Sequence, residues 1–285
     1  MIVLFTVPAA VILLVVYLYP ILRTLVMSVS KVEGVSDPVS SWSFNGFNNF
    51  ITISESSLFR LSMSNLARMW LIGGALVMVL ALIYAVALTS GMRGKKIYRS
   101  VIYMPNVISA VAMGTMWLNY PYQPDYGLFN NAIRLFGGQS ILWTGPDMIF
   151  WSMLIAYCFG MVGYHMLIFM SGIERIDDQY YEAARIEGAN VFQQFRSITW
   201  PLLKGVTRSN IVIWTVSTSG FFVWSQLFSP VNLSEGTVMP LNYLYELVFG
   251  SSGQAVTQRN SGAGAAIGVI LTAIVVVVYF STSLI

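Results

Sequence analysis

The chain holds one histidine, His165, and one cysteine, Cys158, which rules out an intrachain disulfide and a His-pair zinc motif such as H-E-x-x-H. No Walker A pattern G-x-x-x-x-G-K-[ST] occurs, so ATP is not cradled here by that route. Polar and aromatic groups nonetheless stand inside long apolar stretches: Tyr157, Tyr164, His165, Asn210, Trp214, Ser217, Thr218, Trp224 and Gln226. At membrane depth such groups face a bundle interior or a water-filled cavity, and Ser, Thr and Asn also join helices there. His165 is a proton-relay candidate by position; with no carboxylate in its stretch it reads equally as a neutral hydrogen-bonding residue.

A second set of residues lies in a polar segment, Ser171 to Lys204. Asp177 or Asp178 can cap a helix over Tyr180 to Ile186, which Gly188 ends. A short helix from about Val191 to Ser197 then leads to Pro201, whose missing N–H costs little at a helix start. Ala183, Ala184 and Gly188 put small side chains close together, so another backbone can approach. The predicted helix, turn and helix make either a docking surface or an amphipathic connector lying on a membrane.

The elements that must position these groups follow from where charge is missing. Of 285 residues 56% are apolar and 9% charged, against about 25% charged in a soluble domain; mean hydropathy is +0.69. Lys and Arg number 15 against 12 Asp and Glu, too small an excess for a nucleic-acid footprint. Six charge-free gaps of 22 to 26 residues run through the chain. A crossing needs roughly 20 apolar residues, and a central charge costs about 2.5 to 3.5 kcal/mol. The prediction is an all-α polytopic membrane protein, one transmembrane domain over 1–285, with spans at about 2–27, 68–91, 99–120, 148–172, 205–228 and 261–285. A seventh gap, Pro38 to Ser54, is rich in Ser, Asn and Gly and reads as loop.

Orientation comes from the basic residues. Arg93, Lys95, Lys96 and Arg99 follow the second span, and Arg175, Arg185, Arg196, Lys204 and Arg208 follow the fourth, together nine of the fifteen. The positive-inside rule places both loops and both termini in the cytoplasm. The first apolar stretch lacks the basic start and short core of a signal peptide. No Lys or Arg precedes it and nothing follows the sixth, so the natural chain is expected to continue beyond both ends. The opposite loops carry Trp42, Phe44, Phe47, Phe50, Trp117, Tyr120, Tyr122 and Trp143, as folded loops or an interfacial aromatic belt would.

Glu182-Ala183-Ala184, three residues, Gly188, nine residues, Ile198, one residue, then Trp200-Pro201 resembles the EAA loop of the inner-membrane permeases of binding-protein-dependent ABC importers. Trp200 stands where that pattern usually has Leu, and Glu187 where sugar permeases usually have Asp. The likeness extends over nearly the whole chain and is to the sugar-type branch, similar to maltose and glycerol-phosphate permeases. It includes Tyr19-Pro20, Gly46-Phe47-Asn48-Asn49-Phe50, Asn65, Arg93-Gly94 with Arg99 and Pro105, and Gly127-Leu128-Phe129-Asn130.

The resemblance implies that residues 173–200 are a cytoplasmic coupling loop. Tyr181, Glu182, Ala183, Ala184, Ile186, Gly188, Ala189, Phe192, Ile198 and Pro201 would dock on a separate ATPase subunit, with Glu182 facing a basic residue there. ATP and magnesium would belong to two such subunits, and this chain would hold no cofactor and no metal. The implied partners are a second, homologous permease, an extracytoplasmic solute-binding protein and the lipid bilayer of a bacterial or archaeal cytoplasmic membrane, with no nucleic acid. The implied cargo is a sugar or oligosaccharide, whose hydroxyl edges and C–H faces suit a path along Tyr157, Tyr164, His165, Asn210, Trp214, Ser217, Trp224 and Gln226. Import of glycerol phosphate or another solute is the nearest alternative, and the lack of Lys or Arg at the centre of any span argues against a phosphorylated cargo. An ion-coupled carrier usually has ionisable residues or interrupted repeats in its spans. An intramembrane enzyme would need an acid–base pair or metal cluster that these stretches lack.

Overall fold

The computed structural model describes residues 2–229, 234–250 and 259–283. Helix α1 (Ile2–Ile12) passes through a π-helical segment, Leu13–Leu18, into α2 (Tyr19–Ser28). Strands β1 (Ser30–Lys31) and β2 (Ser43–Phe44) pair antiparallel, Ser30 opposite Phe44. Then come α3 (Asn48–Glu55), α4 (Ser57–Arg68), a second π segment at Met69–Gly73, and α5 (Gly74–Thr89). They are followed by α6 (Lys95–Val107), α7 (Ala110–Asn119), α8 (Leu128–Leu135) and the 25-residue α9 (Ile149–Ile173). The polar segment folds as α10 (Asp178–Ile186), α11 (Val191–Gln194), a π segment at Phe195–Thr199 and α12 (Trp200–Leu202). The chain continues through α13 (Lys204–Ser219), α14 (Val223–Phe228), α15 (Pro240–Phe249) and α16 (Ser261–Ser283).

Among the described residues, four helical stretches are long and apolar enough to cross a membrane: Thr6–Ser28, Ser57–Thr89, Ile149–Ile173 and Ser261–Ser283. The second reaches back to Ser57, eleven residues before the expected start, because α4 runs into the π segment without a break. The expected straight third span, 99–120, is instead two helices: α6 and α7 meet at 95°. Pro105 leaves a carbonyl one turn back without its N–H partner, and Ser109 caps the new helix by accepting from Ala112 N at 3.3 Å. The expected fifth span, 205–228, is also divided, at Gly220 to Phe222 between α13 and α14. Thr215, Ser217 and Thr218 dilute its apolar character just before Gly220. Residues 284 and 285 of the expected last span lie outside the described residues.

The contacts divide into two compact units. The first holds residues 1–64 and 238–276. Here Asn49, fully buried, donates Nδ2 to Ser28 O at 2.9 Å and Ser30 O at 2.8 Å, tying α3 to the end of α2. Gly262 lies so close that a Cβ there would sit 2.5 Å from Ser30 O. The Gly46-to-Phe50 segment therefore has a physical job: Gly46 turns the chain at φ +56° and Asn49 staples it. The seventh gap is accordingly β2 and α3, not a crossing. Phe44 and Phe47 remain exposed, so the loop aromatics are not all core.

The second unit holds 65–237 and 277–285. Its hub is α9, apolar on every side and packed against α5, α6, α7, α13 and α14. A helix hydrophobic all round belongs in a core or a bilayer. Past α7, Trp117, Tyr122, Phe129 and Trp143 pack ring to ring, their centroids 5.2 to 5.8 Å apart. Tyr122 donates to Ser152 O at 2.7 Å, and burial pushes its phenol pKa up.

Asn130 closes this segment. Its Nδ2 donates to Pro124 O and Ile141 O, and its Oδ1 accepts from Ile141 N and Trp143 Nε1, all at 3.0 Å. Asn130→Leu strands several buried groups at about 1 to 3 kcal/mol each. A thermal midpoint of the detergent-solubilised chain lower by several degrees is expected; an unchanged midpoint would show that the staple is idle.

Candidate functional site

The polar segment is built for exposure. Asp177 caps α10 by accepting from Gln179 N at 3.0 Å, and Gly188 stops it at φ +80°. Asn190 and Gln193 form a reciprocal capping box that starts α11, at 2.7 and 2.9 Å. The expected second helix ends earlier than Ser197 as regular α-helix and passes into the π segment. Tyr181 Oη and Thr199 Oγ1 share a hydrogen bond of 2.9 Å, linking α10 to the helix that leads into α13.

Of the residues singled out on this loop, Ala183, Ala184, Ala189 and Ile198 line a groove of about 550 Å3. Gln193, Gln194 and Glu187 line it too. Glu182, Ile186, Gly188, Phe192 and Pro201 stand exposed, with Ile186 89% and Phe192 70% accessible. Val191 is similarly bare, at 71%. Tyr181 is turned the other way, into a cavity of about 610 Å3 that it shares with Thr89, Lys95, Glu174, Asp178 and Arg185. An apolar patch of this kind on a charged loop marks a surface that meets a protein or a membrane.

The in-span set behaves differently. His165 Nδ1 lies 2.8 Å from Asn210 Oδ1, both residues fully buried, joining α9 to α13. Trp214 packs on Tyr157 and His165, its centroid 5.6 and 5.9 Å from theirs, and Tyr157 meets Trp224 at 5.8 Å. Tyr164 stands edge-on to His165 at 5.4 Å. Six of the eight predicted path residues, Tyr157, Tyr164, His165, Asn210, Trp214 and Trp224, thus form one connected cluster.

The cluster is closed. Tyr157, His165, Asn210, Trp214 and Trp224 are buried, and the cavities at the loop and at α7 are lined by other residues. Its contacts link α9 to α13 and α14. Sequence reasoning missed two members. Trp70 donates Nε1 to Thr215 Oγ1 at 2.9 Å and gives its carbonyl to Trp214 Nε1 at 3.0 Å. That carbonyl is offered where the π segment loosens the helical ladder. Phe221 meets Tyr157 at 4.7 Å. The available signal was the pair Gly73-Gly74 after Trp70, which makes room for a large ring.

Residues 78–285 match the family described as binding-protein-dependent transport system inner membrane component. The chain belongs to this family. The permease is 31% identical to the lactose transport system permease protein LacF of Rhizobium radiobacter, over 86% of this chain and 82% of that protein. It is 29% identical to the probable starch degradation products transport system permease protein AmyD of Thermoanaerobacterium thermosulfurigenes, over 90% and 86%. Its fold is that of a solved bacterial ABC transporter involved in alginate import, with a TM-score of 0.81 at 19% identity, covering 98% of this chain and 92% of that one. Membership makes the permease a multi-pass inner-membrane transport component.

Proposed function

We propose that this permease is one of two homologous membrane subunits of an ATP-driven importer that moves a sugar or oligosaccharide across the cytoplasmic membrane by alternating access. The observation that carries the cargo class is the 31% identity to a lactose permease over most of both chains. Two ATPase subunits, holding ATP and magnesium, and an extracytoplasmic binding protein complete the assembly. Six crossings are assigned, α6–α7 and α13–α14 each counting as one interrupted crossing, with both termini and the basic loops in the cytoplasm.

The coupling loop, 173–200, transmits the ATPase motion. A switch from 1:99 to 99:1 needs about 5.5 kcal/mol of differential binding, whereas one hydrogen bond supplies about 1 kcal/mol net. The exposed Ile186, Val191 and Phe192 beside the alanine groove supply packed apolar area of the kind such a coupling requires. Glu182, exposed on α10, would pair with a basic group of the ATPase.

Gly188→Trp tests this directly. Nothing lies within 4 Å of a Cβ at Gly188, so the indole projects into open space where the ATPase would sit. The positive φ adds about 1 to 2 kcal/mol of local strain, far too little to unfold the spans. We expect normal membrane insertion and normal pairing with the second permease, with ATPase recovery in pull-downs and uptake each reduced at least tenfold. Wild-type uptake by the variant would overturn the docking role.

A further inference from the structure

We propose that α7 and the turn that follows it form a carbohydrate platform at the outer end of the third crossing, distinct from the buried aromatic cluster. It rests on the sugar-importer reading and gives that reading a place of first contact on this chain. A cavity of about 600 Å3 opens there, lined by Ala112, Thr115, Met116, Asn119, Tyr120 and Tyr126. Its volume falls within the roughly 300 to 1,000 Å3 of small-ligand sites.

The other face of α7 is already used. Met113, Gly114 and Trp117 are buried, and a Cβ on Gly114 would meet Leu227 Cδ1 at 2.8 Å, so α14 seats against that side. Positions 112, 115, 116 and 119 therefore share the free side of the helix.

The lining is neutral and amphipathic. Asn119 donates Nδ2 to Thr115 O at 2.9 Å, and its Oδ1 and second N–H have no protein partner among the described residues. Nor do the hydroxyls of Tyr120 and Tyr126, residues that are 68% and 64% accessible. An anionic solute would call for Arg or Lys, a hard cation for carboxylates, and an acyl chain for an unbroken apolar wall. Phenol faces beside amide and hydroxyl groups instead match a sugar ring, which has C–H faces and hydroxyl edges.

The platform is also rigid before anything binds. Gln123 Oε1 accepts from Asp125 N at 2.6 Å and Tyr126 N at 3.0 Å. Gly127 N donates to Gln123 O at 2.9 Å, and a Cβ at Gly127 would lie 2.2 Å from that oxygen. Asn131 Nδ2 holds Tyr126 O at 2.9 Å. A preformed turn spares the ligand the entropy of ordering a loop.

The test uses the whole complex, both permeases with their ATPases, reconstituted in proteoliposomes with its binding protein, and radiolabelled lactose, maltotriose and diacetylchitobiose as probes. For whichever saccharide the wild type imports, Asn119→Leu with Tyr126→Ala is expected to cut uptake at least tenfold. Basal ATPase activity, recovery of the second permease and the binding protein's own affinity should stay unchanged. Tyr126→Phe, which keeps the ring, should retain more than half of the uptake. Uptake within twofold of wild type in the double variant would overturn the platform and leave the sugar reading standing. Loss of the second permease on purification would overturn it as well, by showing that this face is a subunit interface. No uptake of any of the three saccharides by the wild type would overturn the sugar reading and the platform with it.

Discussion

Gly163→Ala is expected to destabilise the chain by about 3 kcal/mol, the upper end of what overpacking costs. A Cβ at Gly163 would sit 2.2 Å from Ile102 O and 2.7 Å from Tyr103 Cα, so the obstacle is the backbone of α6 and no side chain can swing aside. Either α6 moves off α9, or the bond angles of both helices distort. Gly160, one turn earlier on α9, is the internal control: nothing lies within 4 Å of its added Cβ. There alanine removes a flexible residue from a helix interior and should stabilise by as much as about 1 kcal/mol. The two substitutions are chemically identical and three residues apart, yet opposite in expected sign. Unfolding midpoints in mixed detergent decide the matter. Equal midpoints for the two variants would mean that the approach of α6 to α9 is looser than 2.2 Å implies.

That close approach shows what the sequence made legible. The charge-free gaps fell on the four long apolar helices because a charge at the centre of a helix in hydrocarbon is costly. The helical loop was readable because Asp177, Gly188 and Pro201 act through their own backbone geometry, which is local. Which side of each span is buried was not readable, since α5, α9 and α16 carry apolar residues all round. A helix of that kind gives no periodic signal. The 95° bend was hidden for a related reason: Pro105 was visible, but its gap was long enough for one crossing, and length alone cannot separate a straight helix from two short ones. The path residues Tyr157 and Trp214 were found by residue type, and type does not distinguish a cavity wall from a packed joint. Trp70 was overlooked because its part, a carbonyl released by a π segment, belongs to the backbone.

Trp214→Ala is expected to cost about 3 to 5 kcal/mol, the usual loss for truncating a buried Trp. The indole is 2% exposed, touches Tyr157 and His165, and donates Nε1 to Trp70 O at 3.0 Å, so both packing and a hydrogen bond are lost. Membrane hydrogen bonds average about 0.6 kcal/mol, which makes packing the larger part. Gly74 makes that division measurable. A Cβ on Gly74 would lie 2.7 Å from Trp214 Nε1 and 3.2 Å from its Cδ1, and a rigid ring held on several sides cannot retreat. Gly74→Ala alone should therefore destabilise by about 1 to 3 kcal/mol. In a Trp214→Leu background the clashing atoms are gone, and the same Gly74→Ala change should cost almost nothing. The two substitutions then couple by more than about 1 kcal/mol, far outside the 0.3 to 0.5 kcal/mol within which independent sites add. Additive midpoints in this cycle would place the indole away from Gly74. A strong coupling would make α5 and α13 one body at this level, so that any rocking of the spans must carry Trp70, Gly74 and Trp214 together.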